Sequence, residues 1–121
     1  MSIRILAVDD SASMRQMVTF SLRSAGYDVV GAEDGVIALE KAKTEKFNAV
    51  VADVNMPNMD GISLIRALRQ LPDYRFTPML LLTTESGMDK KQEGKAAGAT
   101  GWLVKPFNPE QLIATLQKVL G

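Results

Sequence analysis

Short apolar runs alternate with amphipathic stretches along the whole chain. Five runs are short and apolar enough to be buried strands, and glycine, proline or polar residues mark their ends. These runs are residues 3–8, 27–30, 47–52, 78–82 and 100–104. Four of them lead directly into aspartate, threonine or lysine. The pattern therefore predicts five strands, four of which end at side chains suited to chemistry.

The stretches between these runs carry apolar residues at helical spacing. Ser11 or Ser13 is expected to cap the first helix, and Gly26 to end it. Asn108, followed by Pro109, is expected to cap the last helix, and Gln111 to complete a pair similar to a capping box. The predicted helices comprise residues 12–25, a stretch that begins at Asp34, and residues 61–71, 86–97 and 109–120.

Two of these helices carry specific expectations about packing. In the second helix, Val36 or Ile37, Leu39 and Ala42 are expected to face the core. The helix over 86–97 is expected to be marginal and mobile, because glycines interrupt it and its apolar face is thin. Each interior glycine costs a helix roughly 1 kcal/mol relative to alanine.

Strands that alternate with helices predict an α/β fold, a doubly wound parallel sheet covered on both faces. Right-handed crossovers bring the loops after the strands to one edge of the sheet, where such folds bind ligands. The side chains expected there are Asp9, Asp10, Asp53, Thr83 and Lys105. With 121 residues, residues 1–121 are expected to form one domain without an output domain.

Composition removes several classes of function. The chain has no cysteine and no histidine, which excludes disulfides, thiolate or imidazole metal sites and cysteine nucleophiles. Lys plus Arg and Asp plus Glu are 14 each, so net charge gives no reason to expect nucleic acid or a membrane surface as partner. No apolar run approaches membrane-spanning length and no signal peptide is evident, so a cytoplasmic location is expected.

The predicted edge cluster has the chemistry of phosphoryl transfer. Taken singly, each of these residues could cap a helix or end a turn, but capping does not explain polar residues at four strand ends. Gathered carboxylates repel one another, which predicts raised pKa values and favours a hard divalent cation, magnesium or manganese. A cation, the Lys105 ammonium and the Thr83 hydroxyl would stabilise a phosphoryl group that Asp53 accepts as nucleophile.

Four segments carry a resemblance to a known family. They are VDDSASMR (8–15), VADVNMPNMDG (51–61), LLTTE (81–85) and AGATGWLVKPF (97–107). In these segments and their spacing, the whole chain resembles the receiver domains of two-component response regulators, most closely the chemotaxis receivers of the CheY family. The resemblance implies a flavodoxin-like (βα)5 fold with strand order 2-1-3-4-5.

The resemblance also implies a magnesium site and its ligands. Asp10 would bind the metal directly, Asp9 chiefly through water, and Asn55 through its backbone carbonyl. Asp53 would be both a metal ligand and the phosphoacceptor.

Three further roles follow from the same resemblance. Thr83 would be the switch hydroxyl, Lys105 would pair with the phosphoryl oxygens, and the bond from Lys105 to Pro106 would be cis. Trp102 stands where this family usually has Tyr or Phe. Two expectations are kept for it: an aromatic that turns inward on activation, and a partly exposed surface anchor.

The function expected is that of a monomeric response regulator. A histidine kinase similar to CheA would donate the phosphoryl group, and the surface formed by the 86–97 helix, strand 100–104 and the last helix would change its partner. The flagellar motor switch is the leading target, and a phosphatase is a further partner. The protein would modify its own Asp53 and turn over no other substrate.

Other functions stay open on the sequence alone. A phosphorelay intermediate or a phosphate sink would share these motifs. A haloacid-dehalogenase-like phosphatase also uses an aspartyl nucleophile, but it needs a second acid two residues later, where this chain has Asn55. A flavodoxin-like FMN binder would need a Ser- and Thr-rich phosphate loop, and none is obvious.

Overall fold

A computed structural model describes residues 3–84, 88–105 and 107–120. Its strands are β1 (Arg4–Val8), β2 (Asp28–Ala32), β3 (Ala49–Asp53), β4 (Met79–Thr83) and β5 (Gly101–Val104). Its α-helices are α1 (Ala12–Ser24), α2 (Gly35–Thr44), α3 (Gly61–Arg69), α4 (Met88–Ala97) and α5 (Pro109–Leu120), and a 3-10 turn covers Pro72–Tyr74.

The strands form one parallel sheet in the order β2-β1-β3-β4-β5. This confirms the doubly wound fold and the implied strand order. In the sheet register, Val8 lies beside Ala52 and Asp53 beside Leu82. The carboxyl ends of the three central strands are therefore level with one another.

Each face of the sheet has its own hydrophobic core. Leu6, Val50 and Leu81 point to the core beneath α2, α3 and α4. Their neighbours Ile5 and Leu80 point to the other core, beneath α1 and α5. Burial on both faces explains why the strands read as continuous apolar runs rather than alternating ones.

The helix caps read from the sequence are present. The Ser11 hydroxyl accepts a hydrogen bond from Met14 N, and Gly26 adopts a left-handed φ of 98° after α1. At α5, the Asn108 side chain accepts from Gln111 N at 2.8 Å, and the Gln111 side chain accepts from Asn108 N at 2.9 Å. This reciprocal pair is the capping box that the sequence predicts.

The inward face of α2 differs in part from the prediction, since Ala42 and Leu39 pack at the core as expected but Val36 and Ile37 do not. Val36 and Ile37 are 44% and 37% exposed, whereas Ala38 and Ala42 are buried. Asp34 caps the helix, and this start sets the phase that turns Gly35, Ala38 and Ala42 toward the sheet. The core therefore takes up small residues, which let α2 pack closely, and the larger pair lies outside.

The end of α3 also differs, because the helix stops at Arg69 instead of residue 71. The 3-10 turn that follows directs Tyr74 into the core, where it is 1% exposed. Its hydroxyl lies 2.8 Å from the carbonyl oxygens of both Ala42 and Glu45. This turn ties the α3–β4 connection to the end of α2.

The α4 glycine has a packing role that the sequence did not indicate. A Cβ on Gly94 would lie 2.7 Å from Leu81 Cδ1 and 2.8 Å from Trp102 Cζ3. The glycine therefore allows α4 to lie directly on β4 and β5. A regular helix forms over Met88–Ala97, while residues 86 and 87 of the predicted helix lie outside the described residues. The mobility expected of α4 stays a prediction.

No helix among the described residues is long and apolar enough to cross a membrane.

Candidate phosphoryl-acceptor and metal site

The carboxyl edge of the sheet brings together the side chains predicted to meet there. Asp53 is the last residue of β3 and Thr83 the last of β4. Asp9 directly follows β1, and Lys105 directly follows β5. Hydrogen bonds extend the strand pairing to these positions, since Asp9 N donates to Ala32 O and Lys105 N to Thr83 O.

Three carboxylates form a compact cluster at this edge. Asp9, Asp10 and Asp53 each offer an oxygen, and the three oxygens lie within 4.8 Å of one another. Asp9 and Asp53 are only 3% and 6% exposed, whereas Asp10 faces solvent. Several close oxygen donors without thiolate or imidazole suit a hard divalent cation such as Mg²⁺ or Mn²⁺. The donor set therefore fits the metal that the sequence predicts.

Lys105 balances part of this negative charge. Its Nζ lies 3.1 Å from Asp53 Oδ1 and 3.5 Å from Asp9 Oδ2. The lysine side chain is 14% exposed, so the pair with Asp53 is shielded from bulk solvent. An ammonium at this position can follow charge that develops on a group attached to Asp53.

Burial dominates the electrostatics of Asp53. The pKa of its carboxyl is raised, first because burial penalises the charged form, and further by the negative charges of Asp9 and Asp10. The hydrogen bond and the positive charge of Lys105 oppose that rise in pKa. The sequence predicted a raised pKa from repulsion, and the structure adds desolvation as the larger cause.

Asp9 is fixed by the start of α1. Its Oδ1 accepts a hydrogen bond from Ser11 N at 2.9 Å, and its carbonyl oxygen accepts from Arg15 Nη1 at 2.8 Å. Ser11, not an aspartate, caps the helix. Asp9 therefore orders the loop after β1 while its Oδ2 faces Lys105.

The remaining site residues occupy distinct environments. Thr83 is fully buried at the end of β4, and Asn55 is exposed in the β3–α3 loop, residues 54–60. The cis bond implied before Pro106 concerns a residue outside the described ranges. The functional roles of these side chains stay predictions, since the structure gives only their positions.

Comparison with known proteins identifies the family. The model of the response regulator receiver domain family matches residues 5–117. The chain belongs to the response regulator receiver family. It is thus the receiver domain of a two-component response regulator, and the resemblance seen in its motifs is confirmed.

Solved receivers superpose closely on this one. The chemotaxis protein CheY4 of Vibrio cholerae shares 56% identity and a TM-score of 0.96, with 98% of this chain and 99% of that chain covered. The receiver domain of the sensor histidine kinase PA1611 of Pseudomonas aeruginosa PAO1 shares 30% identity and a TM-score of 0.92, over 100% and 99% of the two chains. The latter protein was solved with a magnesium ion coordinated in its active site cleft.

Curated relatives include longer proteins. The alkaline phosphatase synthesis transcriptional regulatory protein PhoP of Bacillus subtilis is 38% identical over 120 residues, which cover 99% of this chain and 49% of PhoP. The response regulator MprA of Mycobacterium ulcerans is 41% identical, over 99% of this chain and 51% of MprA. The chain spans about half the length of these curated relatives.

Trp102 of this receiver is partly exposed, which leaves both expectations for it open. The side chain is half-buried against the core beneath α4, in contact range of Gly94 and Leu81. Its indole Nε1 is buried without a hydrogen-bond partner among the described residues. An unsatisfied buried N–H is costly. A position of the ring that gave Nε1 a hydrogen-bond partner would therefore be favoured.

Two features that support the receiver site are not evident from the sequence. A Cβ on Gly61 would clash with the backbone carbonyl of Asp53, so α3 starts at a glycine that allows it to reach the site. Asp34 and Asn58 are hydrogen-bonded across 24 positions. Their types suggested only a helix cap and a turn, and no local pattern indicates a pairing over that separation.

Proposed function

We propose that this receiver is a phosphorylation-activated switch whose phosphoacceptor is Asp53. The observation that supports the proposal is the pairing of a buried carboxylate with Lys105 Nζ at 3.1 Å, next to two further carboxylates. Burial strengthens each electrostatic contact at such a site, since little solvent screens it. Lys105 then stabilises the negative charge of a transferring phosphoryl group, and the acidic pair would hold a cation that offsets more of that charge.

The reaction proposed is direct transfer from phosphohistidine of a histidine kinase. An oxygen of the Asp53 carboxylate attacks the phosphorus, the bond from phosphorus to the imidazole nitrogen breaks, and the freed imidazole takes up a proton. Lys105 turns its ammonium from the free carboxylate to the phosphoryl oxygens. The Thr83 hydroxyl donates to another phosphoryl oxygen as that group forms on β3. The receiver modifies itself and turns over no other substrate.

A magnesium ion would be held by Asp9, Asp10, Asp53 and the Asn55 carbonyl. When bound, it supplies positive charge to the phosphoryl oxygens and offsets the repulsion among the carboxylates. The solved magnesium-bound PA1611 receiver supports this choice of metal. The position of the Asp9 side chain is restricted, because Ser11 N already donates a hydrogen bond to one of its carboxylate oxygens.

We propose chemotaxis as the pathway of this switch. The support is the likeness to CheY4 of Vibrio cholerae, at 56% identity over nearly the full length of both chains. The receiver would then be a cytoplasmic monomer, and its partners would be a CheA-like kinase, the flagellar motor switch and a phosphatase. The likeness to PhoP and MprA supports a second candidate, a receiver that controls transcription.

Labelling with acetyl phosphate tests the acceptor. Asp53→Asn should abolish incorporation in the presence of magnesium, because the amide is close in shape but is no nucleophile. Asp60→Asn is the matched control: Asp60 is a nearby exposed acid that caps α3, and asparagine caps helices equally well. Undiminished labelling of the Asp53→Asn protein would place the acceptor elsewhere.

The pathway has its own test. A strain without the receiver should lose directed swimming, while expression of reporter genes stays unchanged. Restored swimming should require Asp53. Normal swimming with altered transcription would instead favour the second candidate.

A further inference from the structure

The β3–α3 loop is held at its base by the sheet and by α3. Val54 N donates to Leu82 O at 2.8 Å, which continues the pairing of β3 with β4. Gly61 N donates to Val54 O at 3.0 Å and closes the loop on itself. Asn55 therefore leaves the sheet directly after a fixed residue.

The tip of the same loop is held by the start of α2. Asn58 Nδ2 donates to Asp34 Oδ2 at 2.9 Å, and Gly35 N donates to Met59 O at 3.2 Å. The other carboxylate oxygen of Asp34 accepts from Ile37 N at 2.9 Å. Asp34 is 8% exposed, and both of its oxygens are used in hydrogen bonds that are partly buried.

The backbone at these contacts is specialised. Asn58 has a left-handed φ of 69°, which asparagine tolerates better than most residues. A Cβ on Gly35 would lie 2.6 Å from Met59 O, so the loop and the helix approach closely only at glycine.

The hydrogen bonds that Asp34 accepts from Ile37 N and Asn58 Nδ2 both lower the pKa of its carboxyl, as expected when they stabilise its charged form.

We propose that the Asp34–Asn58 pair is a clip that sets the magnesium affinity of the receiver by positioning the β3–α3 loop. Neither residue belongs to the carboxylate cluster of Asp9, Asp10 and Asp53. They act through Asn55, which lies between the fixed base and the clipped tip. The proposal rests on the proposed function, in which the Asn55 carbonyl is a magnesium ligand.

Magnesium makes such positioning matter. The ion demands near-ideal octahedral geometry with short metal–oxygen distances, so a misplaced carbonyl is poorly accommodated. Removing groups that orient metal ligands typically lowers metal affinity 10- to 100-fold. An effect near the lower end of that range is expected here, because the loop keeps its base hydrogen bonds.

Two substitutions remove the clip and keep the local fold. Asp34→Ser retains an oxygen to cap α2 but loses the second oxygen that accepts from Asn58. Asn58→Gly retains the left-handed backbone but loses the amide. Each should raise the magnesium dissociation constant about tenfold in calorimetric titration. The double variant should be no worse than either single one, because both remove the same contact.

Two further variants separate positioning from other effects. Asp34→Asn should bind magnesium nearly as well as wild type, because an asparagine amide can cap α2 with its oxygen and donate to a flipped Asn58 side chain. Glu33→Gln removes a charge from an exposed neighbour of Asp34 and should leave the dissociation constant unchanged. Melting temperatures without metal show that titrations are made on folded protein.

The outcomes are distinguishable. Wild-type magnesium affinity in Asp34→Ser and Asn58→Gly would overturn the clip and leave the proposed function intact. Additive losses, or an equal loss in Glu33→Gln, would also overturn it, since neither follows from one shared contact. A wild-type protein that binds no magnesium would overturn the proposed metal site and this inference together.

Discussion

Helices α3 and α4 cover the same face of the sheet but are held in place differently. Three large apolar side chains of α3, Leu64, Ile65 and Leu68, are fully buried. The described part of α4 buries Gly94 and Ala97 instead. One helix is thus attached by apolar area, and the other by close approach of small residues. Helix α3 follows the β3–α3 loop, which contains the predicted metal ligand Asn55, and α4 lies on the predicted output surface.

This difference indicates how a receiver can combine a fixed site with a movable surface. Apolar burial contributes roughly 25 cal/mol per Å², so α3 is expensive to displace. The described part of α4 has little apolar area to lose, and the residue after its C-terminal end is held by polar contacts from Arg69. Elements with few buried apolar contacts are the ones that open or shift most readily.

The largest effect should come from truncation within α3. Leu64→Ala is expected to lower the free energy of unfolding by about 2–5 kcal/mol, because it leaves a cavity in a fully buried position. Lys91→Ala on the exposed face of α4 is the matched comparison and should change stability by less than about 0.5 kcal/mol. Urea denaturation measures both. Similar losses in the two variants would contradict the difference in attachment.

The next effect concerns Arg69, which joins the two helices. Its Nη2 and Nε donate to Gly98 O at 2.7 and 3.1 Å, and its Nη1 donates to Tyr74 O at 2.6 Å. Arg69→Ala should cost about 1–3 kcal/mol, because the two carbonyls lose a charged donor. Hydrogen exchange should quicken in α4 more than in α3. Arg66→Ala, on the exposed side of α3, serves as control. An equal change of hydrogen exchange in both helices would contradict the view that the Arg69 hydrogen bonds to Gly98 O hold α4 in place.

A smaller effect is expected at Gly94. Alanine is better than glycine in a helix by roughly 1 kcal/mol, yet here its Cβ would meet Leu81 and Trp102 at 2.7 and 2.8 Å. Overpacking of this kind costs about 1–3 kcal/mol, so Gly94→Ala should be neutral to mildly destabilising and should alter Trp102 fluorescence. A stability gain of the full helix-propensity size, with unchanged fluorescence, would show that α4 adjusts freely.

Features set by local pattern were predictable, and features set by contact between distant residues were not. The alternation of strands and helices, the Ser11 and Asn108 caps and the meeting of Asp9, Asp53 and Lys105 all follow from short-range signals and the geometry of parallel sheets. The bounds of β2 were less well predicted, since the strand ends at Ala32 and not at residue 30. In α2, Ala42 was placed correctly but Val36 and Ile37 were not, because hydrophobicity favours the larger pair inside while close packing favours alanine.

The same distinction holds within the site. Residue types indicated a carboxylate cluster with a lysine. Burial is the largest cause of the raised pKa of Asp53, and the extent of that burial depends on the packing of the folded chain around the carboxyl. The Asp34–Asn58 hydrogen bond joins two segments that each look complete alone, a helix cap and a loop. From the sequence, Gly94 only lowers the helix propensity of α4. Its packing role becomes visible only in the structure, where Trp102 lies against it.

The smallest effect expected is a near-absence of change, and it separates the two regions most directly. Magnesium should raise the melting temperature, because it binds the folded carboxylate cluster and offsets its repulsion; the gain is roughly 2.7 kcal/mol at 100 times the dissociation constant. Asp10→Asn should weaken that response. Trp102 lies on the edge strand β5 against α4, and not beside Asp53 on β3, so magnesium alone should hardly change its fluorescence. Magnesium with beryllofluoride should change it more, since under the proposed function a phosphoryl mimic on Asp53 would also engage Thr83 and Lys105 beside β5. A thermal shift without any fluorescence response to beryllofluoride would keep the metal site but remove Trp102 as the moving part.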